Sequence, residues 1–201
     1  EAVQQKASFK NIFTGQLSIL YFLQLFISLS LAGLEATFAY FAAERAGLDA
    51  VSLGYIFMIM GLASAAVQGS MGKLTKKFGE KRIIQAGIVV SAVGFFLILF
   101  TQNFTTAAIF LAIFGVGNGV IRPSVSSLLT KMSQVGHGTA TGYLSSFDSL
   151  GRIFGPVLGG VLYSYHIGLP YLSGILLSVV AFLLLRVFLS KTSHNKHVQP
   201  S

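Results

Sequence analysis

The sequence predicts an all-α membrane protein, six transmembrane helices built as two three-helix repeats, and three observations carry that prediction. Of 201 residues, 53% are hydrophobic and only 10% charged, where soluble domains carry about a quarter charged residues. The apolar residues are gathered into six stretches, each long enough to cross a hydrocarbon core about 30 Å thick, which takes roughly 20 residues of helix. Taken as two triplets, the third stretch of each is plainly lipophilic, and the internal charges fall on the others. Threefold helix sets used twice are a common plan of secondary transport proteins.

The first stretch, residues 12–41, follows a polar opening, 1–11, that lacks the basic start, apolar middle and cleavage site of a signal peptide. That opening reads as a linker, so the chain is expected to be a piece of something longer. The second stretch, 51–71, carries Gln68 and a small-residue series, Gly54, Gly61, Ala65, Gly69 and Gly72, at spacings that permit close helix contact. The third and fourth, 83–100 and 105–129, are parted only by "TQNFTT", read as a tight turn because the uncharged run around it is too long for one crossing. The fifth covers 139–163 and the sixth 169–188, with Arg186 near enough to the end to snorkel. The transmembrane domain is therefore 12–190, and 191–201 is a polar tail whose His194 and His197 are solvated.

Lysine and arginine set the orientation, since cytoplasmic loops hold their excess. Lys6, Lys10, Lys73, Lys76, Lys77, Lys81, Arg82, Lys131, Lys191 and Lys196 all fall on one side, and only Arg45 on the other. Both termini are thus expected in the cytoplasm, with the chain multi-pass in the cell membrane. The net charge of +8 is a topology signal; nucleic acid is excluded as a partner, because its binders cluster basic residues on a soluble face. The absence of cysteine excludes thiol nucleophiles and cysteine-held metals. His137 and His166 fall at opposite membrane faces, so neither a triad nor a histidine metal site is expected. "GVGNGV" lacks the Lys-Ser/Thr ending of a phosphate loop. No enzyme activity, metal or cofactor is expected.

Charges inside a bilayer are costly and mark an interior or a wet cavity. Gln24, Ser28 and Glu35 fall on one helical face of the first stretch. Arg122 lies about nine residues from Lys131, roughly 13 Å into the membrane by helical rise, and Asp148 lies at similar depth. Arg152, one turn after Asp148, is expected to pair with it, with Arg122 facing the same cavity; the alternative is two separate arginines that reach water at the cytoplasmic face. Glu35 has no arginine one turn away and is expected among Leu34, Ala36, Phe38 and Phe41. Gly151, Gly155 and Gly159 recur every fourth residue as a ridge without side chains, beside Pro156, which bends the helix. The expected partner of the ridge is the small-residue face of the second stretch, or an equivalent helix from outside this chain.

"GRIFGPVLGG", with Gly151, Gly155, Pro156, Gly159 and Gly160 in register, resembles the G-x-x-x-G-P-x-x-G-G signature of drug:proton antiporters of the major facilitator superfamily. "GKLTKKFGEKR" is similar to that family's glycine-rich cytoplasmic loop at Gly72, Leu74, Gly79, Lys81 and Arg82, with Lys76 in the acidic position. "GNGVIRPSVSSLL" resembles the tenth helix of multidrug pumps and "LAGLEATFAYFAAERAG" the seventh. The resemblance implies the C-terminal six-helix half of a twelve-helix exporter, with an N-terminal six-helix half as partner and 1–11 as the linker between them. It implies proton-coupled export of hydrophobic or cationic small molecules, with Glu35, Gln24, Ser28, Asn118, Arg122, Asp148 and Arg152 serving protons and substrate. A metabolite or sugar symporter of the same fold is the alternative, disfavoured by the lack of tryptophan and sparse hydrogen-bonding groups. A self-standing six-span protein that dimerises through the glycine ridge is another.

Overall fold

A computed structural model describes residues 17–133 and 137–196. The expected linker, the first residues of the first stretch and the end of the tail lie outside the described residues. The described chain forms helices α1 (Ser18–Ala46), α2 (Ala50–Gly69), α3 (Met71–Phe78), α4 (Glu80–Ile98), α5 (Phe104–Met132), α6 (His137–Tyr165) and α7 (Leu169–Lys196).

Most helices outrun the apolar stretches, because residues such as Glu44 and Arg45 continue a helix well after they leave a hydrocarbon layer. Thus α1 runs to Ala46, and α7 continues to Lys196, into the expected polar tail. The second stretch is shorter than expected: α2 ends at Gly69, and Met71 opens the separate helix α3. That helix is amphipathic, with Met71 buried and Lys73, Lys76 and Lys77 exposed. "TQNFTT" is a tight turn, closed by a capping box in which the Asn103 side chain accepts from the Thr106 amide and Thr106 accepts from the Asn103 amide.

Among the described residues α1, α2, α4, α5 and α7 are long and apolar enough to cross a membrane. At 29 residues α6 matches α1 and α5 in length, but its serines, Asp148 and Arg152 lower its apolarity. Asp148 and the ridge Gly151, Gly155 and Gly159 are instead turned onto α1.

The packing follows the two triplets. The first helix of each, α1 or α5, lies against the second helix of the other, α6 or α2; each also meets the third helix of the other, α7 or α4, and α4 meets α7. This is the pairing a pseudo-twofold axis between α1–α2–α4 and α5–α6–α7 generates. Two apolar clusters fill the ends of the bundle. One gathers Leu20, Leu23, Ile84, Leu129, Leu185 and Phe188, the other Leu34, Phe38, Phe41, Phe95, Phe114 and Tyr171. Gln24 and Ser28 of α1, Asn118 of α5, and Asp148 and Arg152 of α6 lie between them in sequence, with Glu35 and Arg122 at their edges.

Candidate functional site

A cavity of about 290 Å³ opens between α1, α2, α5 and α6. Gln24, Ser28 and Glu35 line it from α1, Asn118 and Arg122 from α5, and Asp148 and Arg152 from α6. The expected interior polar residues, scattered over three stretches of sequence, therefore share one space.

Asp148 is the hub. Its side chain is nearly buried, and three hydrogen-bond donors and a further guanidinium converge on its two oxygens. Gln24 Nε2 donates to Oδ1 at 2.9 Å and also to Ser28 Oγ at 3.0 Å, while Ser28 Oγ donates to Oδ1. Arg122 Nη2 and Arg152 Nε each stand 3.3 Å from Oδ2. Both arginines are thus joined through one carboxylate, not held apart at a membrane face. A buried carboxylate is tolerable when opposite charge and hydrogen bonds replace its water, and here three helices supply both.

Glu35 departs from expectation. Leu34, Phe38 and Phe41 turn into an apolar cluster, whereas Glu35, one helical step away from Leu34, is exposed on the cavity. Among the described residues it has no hydrogen bond and no ion pair. The cavity therefore holds two acids of opposite character, one with every lone-pair direction occupied and one with none.

The glycine ridge packs against a different helix from the expected one. A methyl group on Gly151 would meet Leu25 O at 2.7 Å, on Gly155 Leu29 O at 2.6 Å, and on Gly159 Gly33 Cα at 3.0 Å. The ridge packs on α1 and not on α2: α6 lies along α1, and Gly33 with Ala32 lets the two backbones meet. Gly160 takes no part and faces outward with nothing near it. In the loop motif, Gly79 adopts φ 77° between α3 and α4, a conformation that favours glycine, and Gly72 has free space around it. Leu74 packs on the apolar cluster, Lys81 Nζ stands 5.7 Å from the Phe188 ring centroid, and Arg82 is exposed. Beside them Glu80 accepts from Ser127 at 3.1 Å and pairs with Lys131, tying the start of α4 to the end of α5.

Two lining residues on α2 escaped the sequence reading, Met60 and Ser64; they line the cavity beside Gln68, which it did name. Their spacing of four puts them on one helical face, and a search for apolar or small residues in step with Gln68 would have found them. Ser64 Oγ donates to Gly115 O at 2.8 Å, fixing α2 on α5.

Residues 20–201 match the sequence profile of the Major Facilitator Superfamily. The chain is 29% identical over 168 residues to Multidrug resistance protein 1 of Bacillus subtilis, covering 83% of this chain and 43% of that protein. It is 30% identical over 155 residues to Tetracycline resistance protein, class E, of Escherichia coli, covering 74% of this chain and 38% of that one. In three dimensions it resembles the crystal structure of the human organic anion transporter MFSD10 (TETRAN), with TM-score 0.74 and 26% identity over 85% of this chain and 40% of that one. The chain spans roughly two fifths of the length of these relatives.

Proposed function

Because the chain belongs to the major facilitator superfamily, we propose that it is the C-terminal six-helix half of a proton-coupled exporter of hydrophobic or cationic small molecules. Residues 1–11 then lead from an N-terminal half of like design, both termini are cytoplasmic, and the cavity is half of the substrate chamber. Relatives named for multidrug and tetracycline resistance support export of small molecules.

The observation that carries the coupling is the contrast between the two acids. Asp148 is saturated by Gln24, Ser28, Arg122 and Arg152, so losing its charge would strand two guanidiniums. Glu35 faces the same space with no hydrogen bond or ion pair among the described residues, so it can take up a proton or hold a cationic ligand without breaking a direct contact there. Proton and cation then compete for one carboxylate, which is the requirement for exchange: each displaces the other. Gln68, Ser64 and Asn118 supply hydrogen bonds around it, and Met60, Leu31 and Phe114 supply apolar wall.

The test uses the full-length protein in vesicles with an imposed pH gradient and ethidium as the cation. Glu35→Gln is expected to abolish gradient-driven ethidium movement. Unchanged ethidium export in that variant removes Glu35 from the mechanism.

A further inference from the structure

The cavity carries four charged groups: Arg122, Arg152, Asp148 and Glu35. Asp148 is the only one of the two acids that touches the arginines. Both guanidiniums approach the same Oδ2 at 3.3 Å, so they lie side by side and repel one another. A single carboxylate offsets one of the two positive charges. Glu35 forms no ion pair with either arginine among the described residues and acts on Arg152 only at longer range, so it offsets the other charge incompletely.

The hydrogen-bond inventory agrees with the charge count. A guanidinium has five N–H donors in a planar fork. Arg152 spends one on Oδ2 and Arg122 approaches it as an ion pair, and among the described residues no other acceptor takes the rest. Their side chains are 52% and 47% exposed, against 7% for Asp148, so the open edges of both forks turn to the cavity while the carboxylate lies behind them. Asn118, one turn before Arg122, brings an amide to the same wall.

We propose that Arg122 and Arg152 together bind an oxyanion of the transported molecule, a carboxylate or a group of like shape, on the side of the forks opposite Asp148. This rests on the transport reading above and names its substrate class more closely: the molecules held best carry an oxyanion, alone or together with a cationic group that Glu35 receives. Asp148 acts as a positioning residue that holds the two forks parallel, with Gln24 and Ser28 fixing it from α1. Planar guanidiniums recognise carboxylates by paired N–H···O bonds, which a lysine ammonium does not reproduce.

The test compares two probes that differ only in that group, dansylglycine and its methyl ester, by fluorescence titration of the detergent-solubilised full-length transporter at neutral pH. The carboxylate is expected to bind about tenfold more tightly than the ester, as a charge-assisted hydrogen bond implies, although the ester is the more apolar. Arg122→Gln and Arg152→Gln should each bring the ratio toward one, and Arg152→Lys should restore part of it. A wild-type protein that binds the ester as well as the carboxylate overturns the proposal, and so does a ratio unchanged in both glutamine variants. That includes the case in which an acid from outside this chain already occupies the forks. If a variant does not fold, the wild-type ratio still decides. The two readings fail separately: equal affinities with intact ethidium export remove only the oxyanion site, whereas no gradient-driven ethidium export at all removes the transport reading.

Discussion

Two glycine-rich helices of this chain use the same composition in opposite ways. On α6, Gly151, Gly155 and Gly159 are filled by α1, so closely that an added methyl would come within 3.0 Å of α1 backbone at each. On α2, Gly54, Gly61 and Gly69 have nothing within 4 Å, and Ile56 is its one buried residue. Where α2 does make a close contact, the roles reverse. The glycines are Gly115 and Gly119 of α5, and Met60 and Ser64 of α2 are the groups that press into them. The two contacts are counterparts under the pseudo-twofold axis, yet the missing side chains sit on the second helix in one and on the first helix in the other, both within the α5–α6–α7 triplet. A stripe of small residues marks where a backbone can be approached; which neighbour approaches depends on where that neighbour has its bulk.

The sharpest way to break this contrast is leucine at matched positions. Gly155→Leu should destabilise the chain by about 3 kcal/mol or more, because the side chain has nowhere to go but into Leu29 and Gly33. Gly61→Leu should leave it within about 0.5 kcal/mol. Helix content followed through titration with a denaturing detergent measures both, and comparable losses would show that α2 is packed as tightly as α6. Asp148→Asn comes next, with an expected loss of about 2 kcal/mol. Breaking a buried pair costs more, but both arginines are half exposed and solvent screens them. Adding Arg152→Gln to Asp148→Asn should recover part of that loss; strict additivity would mean the two groups act independently.

The smallest effect belongs to the start of α2. Asp49 accepts from the Ser52 amide at 2.9 Å, and the Ser52 side chain and amide together hold its carboxyl below the ordinary value. A carboxyl with a lowered folded-state pKa contributes stability above its ordinary, unfolded value, and the contribution is lost as pH falls through the lowered one. Amide protection in the first turn of α2, taken relative to the intrinsic exchange rate at each pH, should therefore fall in acid, while the first turn of α5, capped by the uncharged Asn103, does not respond. Equal response in both helices would mean that acid loosens the whole bundle.

Much of this was readable before any coordinates. Apolar run length reports the helices because a bilayer demands about 20 apolar residues whatever their order, and the cost of interior charge pointed to Glu35, Arg122, Asp148 and Arg152 as cavity residues. What failed was direction. Sequence spacing places Gly155 and Gly159 on one face but does not name the helix opposite, and α1 was hidden as their partner because it brings a single glycine, Gly33, to the contact. Glu35 was expected among Leu34, Phe38 and Phe41 because they are its neighbours in the chain, yet a rotation of about 100° per residue separates them into core and cavity. The amphipathic α3 was absorbed into a loop because eight residues leave too short a period to separate helix from turn.

The two positive-φ residues among the described ones, Gly47 at 64° and Gly79 at 77°, bracket the α2–α3 segment. A residue with a Cβ would cost about 1–2 kcal/mol at either place, so the exit from α1 and the entry to α4 are set by backbone handedness. Since α2 buries a single side chain completely, it is fastened at points and not along its whole length: at the Gly47 bend, and at mid-helix where Met60 and Ser64 press into Gly115 and Gly119. A helix held that way pivots about its fastenings. A stiffer residue at Gly47 is therefore expected to change the tilt of α2, and with it the width of the cavity, without touching any group that lines it.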